Sequence, residues 1–111
     1  MFGKKPVKNE YDETLEMVLD KRARIIQSIK GVCKAIKRKR NALNALQGHY
    51  YDIEMKDIAA QKNKLQIFLQ AGEEVDKEAH EYFKAYKDKF TDITGIAPVD
   101  YLCIVEHAME D

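Results

Sequence analysis

The chain has 111 residues with 19 Lys and Arg against 19 Asp and Glu, 45% hydrophobic residues and 34% charged ones. That is enough chain for one domain and a composition typical of charged helical bundles. With 5 Gly, 2 Pro and no Trp, turns are few, and β-branched runs are too rare for strands. The N-terminal stretch has no apolar core of a signal peptide. No run approaches the roughly 18 apolar residues of a membrane-spanning helix. A cytoplasmic protein is expected.

Residues 1–8 read as a loose basic tail, followed by one helical domain over 9–111. Asn9 or Asp12 can cap a first helix, with Glu10, Asp12, Glu13 and Glu16 at the positive end of its dipole. From Leu15 a heptad is readable. One seam position holds Leu15, Arg22, Ile29, Ile36, Leu43 and Tyr50; the other holds Val18, Ile25, Val32, Lys39, Leu46 and Ile53. Leu19, Ile26 and Cys33 widen the apolar stripe. A first helix is expected over about 10–47, roughly 55 Å long at 1.5 Å per residue.

Gly48 then predicts a turn, with a continuous helix kinked at Gly48 as the alternative, because the apolar register shifts after it to Tyr51, Met55, Ile58 and Leu65. A second helix is expected over about 50–70, closed by Ala71-Gly72. A third over 73–90 is marked by Val75, Ala79, Tyr82 and Tyr86 on one face. Gly95 falls in a loop, and Pro98 suits the first position of a short last helix over 98–110. The fold class expected is all-α: an antiparallel helical bundle or coiled-coil-like hairpin with one long N-terminal helix and a short C-terminal one. A stripe of this length asks for cover along its whole face, from the following helices or from a second chain. A homodimer is the expected assembly, with Ile25, Ile29, Val32, Ile36, Leu43, Tyr82 and Tyr86 as candidate interface residues.

Zero net charge hides a polar distribution. Residues 21–40 contain nine bases and no acid, whereas acids dominate from residue 73 onward. Arg24, Lys30, Lys34, Lys37 and Arg38 fall opposite the apolar stripe and form a candidate basic binding face. Three uses compete for it. The acidic C-terminal third can complement it, within the chain or across a dimer. It can hold nucleic acid by its phosphates, although no recognition motif or interleaved aromatic accompanies it. It can also meet an anionic membrane surface or an acidic protein. Arg22 and Lys39, at seam positions, read first as snorkelling side chains and second as residues that set register or partner.

Nothing here reads as catalysis. His49, His80 and His107 lie in separate segments without metal-ligand spacing, and no cofactor is implied. His80 shares a helix face with Asp76, and His107 with Cys103. The two cysteines lie in apolar stretches and read as free thiols. Ser28 is the lone serine and has no triad around it. The sequence therefore points to a non-enzymatic protein-interaction or assembly module, adaptor- or chaperone-like. Electrostatic binding of nucleic acid through residues 21–40 is the alternative.

Overall fold

The computed structural model describes residues 9–110; the basic tail expected over 1–8 lies outside them. The described residues form helices and no strand. Two long helices, α1 (Glu10–Ala42) and α2 (Gly48–Ala85), are followed by a short one, α3 (Tyr101–Met109). Together they make a rod of 69 × 30 × 19 Å.

Helix α1 begins with a capping box. The Asp12 amide donates to Asn9 Oδ1 at 3.0 Å, and the Asn9 amide donates to Asp12 Oδ2 at 3.3 Å. Two of the N–H groups left over at a helix start are thereby used. The helix ends at Ala42, five residues before the predicted end. The Leu43 amide is shared between the Lys39 and Arg40 carbonyls, and the coil tightens into a 3-10 turn over Leu43–Ala45. Asn41 and Asn44 are weak helix formers at this point. The expected turn is present, but Gly48 opens α2 rather than closing α1. Its φ of +57° is a conformation that L side chains rarely adopt, and it lets the chain reverse.

Helix α2 passes through Ala71-Gly72 without a break, where the sequence predicts two helices. Glycine in a helix costs only about 1 kcal/mol relative to alanine, less than the packing on both sides supplies. The pairs across the hairpin establish its antiparallel sense: Arg22 meets Asp76, whereas Lys39, further along α1, meets Glu54, earlier on α2. The stripe on α1 supplies buried Leu15, Ile29, Val32, Cys33 and Ile36; α2 supplies Ile58, Leu65, Val75 and Ala79.

Past α2, the chain returns along α1 held by polar contacts. Asn9 Nδ2 donates to the Lys89 carbonyl at 2.6 Å, and Arg22 donates to the Ala97 carbonyl at 3.0 Å. Between them Asp12, fully buried, accepts from the Thr91, Asp92 and Ile93 amides and from the Thr91 hydroxyl at 2.7 Å. Helix α3 starts at Tyr101, three residues after Pro98. The reason is a local cap: the Asp100 side chain accepts from the Cys103 amide at 3.0 Å. Tyr101 packs by Gly72 and Ile25, and Lys37 donates to the Glu110 carbonyl. Helix α3 therefore runs parallel to α1, from its middle toward the hairpin end.

Candidate interaction trough

Each charge at a seam position of α1 is answered by an acid on α2. Arg22 Nη1 lies 2.5 Å from Asp76 Oδ1, and both side chains are largely buried. Lys39 Nζ lies 2.8 Å from Glu54 and 3.6 Å from Asp57. The hydrogen bond from Lys39 to Glu54, with the charges of Glu54 and Asp57, raises the lysine's pKa against the opposing effect of desolvation. These two residues are engaged within the hairpin, each bridging α1 to α2. Arg24 is exposed and pairs with Asp20 one turn back on its own helix, at 2.8 Å.

Lys30, Lys34 and Arg38 differ. They follow one another at four-residue spacing along α1, all exposed, and none has an ion pair among the described residues. Lys37 beside them is engaged by the end of α3. Because α3 lies against the same flank of α1, these bases border a trough. Its first part, about 690 Å³, has Lys30 and Lys34 on the α1 side and Cys103 and His107 on the α3 side, over apolar Ile26, Val99, Ile104 and Ala108. A second hollow of about 550 Å³ continues it through the shared Lys34 and Ala108 to Lys37, Arg38 and Asn41. Four of the five bases predicted as one face thus line one surface feature, and Arg24 stands apart from it.

The candidate interface residues fare otherwise. Ile29, Val32 and Ile36 are buried within the chain, and Ile25 and Leu43 are half-buried against the same core. Tyr82, half-buried, and Tyr86, still 41% exposed, belong to an aromatic cluster at the open end of the hairpin. Their ring centroids are 4.9 Å apart, and Tyr11 lies 5.1 Å from Tyr86. Phe90 stacks on Phe83 at 5.1 Å. Tyr11 escaped the sequence reading because it precedes the heptad and meets its partners only when the hairpin closes.

The α3 wall of the trough was also missed as a surface. Its signal was the pairing of Cys103 with His107 and of Ile104 with Ala108, each four residues apart on one short helix. Cys103 is exposed, whereas Cys33 is buried, and burial pushes the Cys33 thiol pKa up. His80 lies 3.4 Å from Asp76, and His107 lies 3.5 Å from Glu110. Among the described residues no three His, Cys, Asp or Glu side chains gather as a metal site. No helix of the described chain is long and apolar enough to cross a membrane. Comparison of the chain with protein-family models, with curated proteins and with solved structures yields no match.

Proposed function

We propose that this chain is a non-enzymatic protein-interaction module, of the adaptor or assembly kind, that holds an acidic segment of a partner protein in the trough between α1 and α3. One observation carries the reading. Lys30, Lys34 and Arg38 are exposed at regular spacing beside an apolar floor and have no ion pair among the described residues, whereas Arg22, Arg24 and Lys39 are answered by acids of the chain itself. A segment with apolar anchors and acids at helical spacing complements both parts of such a trough. A phosphate backbone would use the bases and leave Ile26, Val99, Ile104 and Ala108 without a role.

A second copy of the chain, as a homodimer, is one such partner. On α1 the apolar stripe from Ile25 to Ile36 packs against α2 and α3, so the trough is the surface a second copy would use. A cytoplasmic setting accords with two cysteines that are not bonded to one another.

The test uses a labelled synthetic helix carrying leucines on one face and glutamates at four-residue spacing beside them. Its fluorescence anisotropy is followed with the wild type and with Lys30→Ala/Lys34→Ala/Arg38→Ala, against single- and double-stranded DNA in parallel. Binding of the peptide that the triple substitution weakens at least tenfold is the expected result. Binding of DNA alone, with the same dependence on these bases, would replace the protein reading by the nucleic-acid one.

A further inference from the structure

We infer that the acidic segment suited to the trough is carried by the chain itself: the outer strip of α2 formed by Ile67, Glu74, Glu78 and Glu81, presented by a second copy. The inference rests on the trough being a protein-binding surface and names its occupant.

At about 100° per residue these four side chains fall within about 60° of one another on α2, facing away from core residues Leu65, Val75 and Ala79. All four are exposed, and Ile67, an aliphatic side chain, is 66% exposed among the described residues. Their polar contacts are weak and lie within the helix. Gln70 donates to Glu74 at 3.4 Å, and Lys77 lies 3.9 Å from Glu81 with both side chains in solvent. Glu78 has no ion pair among the described residues.

The two surfaces match in order, and in pitch at two of their charges. On α1 an isoleucine, Ile26, leads Lys30, Lys34 and Arg38; on α2 an isoleucine, Ile67, leads Glu74, Glu78 and Glu81. With 1.5 Å of rise per residue, Lys34 and Arg38 lie about 12 and 18 Å beyond Ile26, and Glu74 and Glu78 lie about 10.5 and 16.5 Å beyond Ile67. Laid parallel, the helices bring Ile67 onto the apolar end of the trough, Glu74 beside Lys34 and Glu78 beside Arg38. Equal numbers of acids and bases in the whole chain remove the net repulsion that opposes association of like molecules, while the separation of the charges leaves local attraction. The contact joins a basic surface to a different, acidic one, so it forms a closed pair or a chain of copies according to whether its rotation closes.

The experiment is sedimentation of the full chain at low and high ionic strength, with two charge reversals: Lys30→Glu/Lys34→Glu/Arg38→Glu on one surface and Glu74→Lys/Glu78→Lys on the other. Circular dichroism melting confirms that each variant is folded. The wild type associates at low salt and separates at high salt. Each reversal alone weakens association by about tenfold or more, and an equimolar mixture of the two restores it. A wild type that stays monomeric at low salt, or a mixture that stays apart while both variants are folded, overturns the inference. If the synthetic acidic helix still binds the trough in that case, the protein-binding reading stands and only the identity of the occupant falls; if it does not, both fall.

Discussion

The Tyr101 hydroxyl donates a 2.8 Å hydrogen bond to the carbonyl of Gly72, in the middle of α2, and the tyrosine ring rests where a side chain at Gly72 would stand. The position that looks like a helix break in the sequence is the seat of α3. A Cβ there would lie 2.7 Å from Tyr101 Cε1 and 3.3 Å from a methyl of Ile25. Burial, assisted by the charge of Asp76, pushes the Tyr101 pKa up from its ordinary value.

Gly72→Ala is therefore expected to destabilise the protein although alanine is the better helix former. The propensity gain of about 1 kcal/mol is outweighed by overpacking of about 1–3 kcal/mol against a buried, hydrogen-bonded ring. Chemical denaturation measures the balance. Unchanged or increased stability would mean that α3 yields readily and that its seat is not specific.

Asp12 joins the start of α1 to the loop after α2, and its stabilising effect depends on pH with a definite sign. Burial pushes its pKa up, but the hydrogen bonds from Thr91, Asp92 and Ile93 together outweigh this and hold the carboxyl well below the usual carboxylate range. A folded-state pKa below the unfolded one gives stability that is present above the unfolded value, near 3.9, and is lost as the pH falls below it. Asp12→Asn lowers the melting temperature at neutral pH by several degrees. The gap between wild type and variant narrows as the pH drops below about 4. A gap of constant size across that range would show that the charge of Asp12 is not what holds the loop.

Arg22 is expected to matter more than its position among exposed charges suggests. Arg22→Met keeps much of the stem volume but strips Asp76 of its principal partner and releases the Ala97 carbonyl. A loss of about 1–3 kcal/mol is expected, the range for hydrogen bonds to charged groups. Arg22→Met combined with Asp76→Leu recovers part of it, because no half-buried carboxylate is then left unpaired. A double-mutant cycle measures the coupling, and additive losses would count against the pair as a register-setting contact.

The two cysteines are expected to differ in reactivity. Cys103 labels with a maleimide in the native protein, whereas Cys33, buried and with its thiol pKa pushed up, labels only on unfolding. Cys103 also lines the trough, so occupancy of the trough slows its labelling. Mass spectrometry with and without the synthetic acidic helix reads both effects. Equal protection of Cys33 and Cys103 in the free protein would contradict the placement of α3.

Much of the fold was legible because it depends on periodicity. The apolar residues from Leu15 to Ile36 recur at helical spacing whatever lies opposite, and the capping chemistry of Asn9 and Asp12 is local. Helix ends were harder to read. Gly48 and Gly72 look alike in the sequence: one takes a left-handed conformation in a turn, and the other makes room for a ring from 29 residues away. Nothing adjacent to either glycine distinguishes these uses.

Residue order alone dictates an all-helical chain with a long amphipathic first helix, a reversal near Gly48 and a concentration of bases between residues 21 and 40. These are consequences of spacing and composition within one segment. Which bases are answered by the chain and which face outward depends instead on how the helices pack. Arg22 and Lys39 meet Asp76 and Glu54 because the antiparallel hairpin brings together residues far apart in sequence. Lys30, Lys34 and Arg38 come to border a trough because α3 lies along the same flank of α1. Charge partners are set by distances in space, and those exist only once the helices have packed.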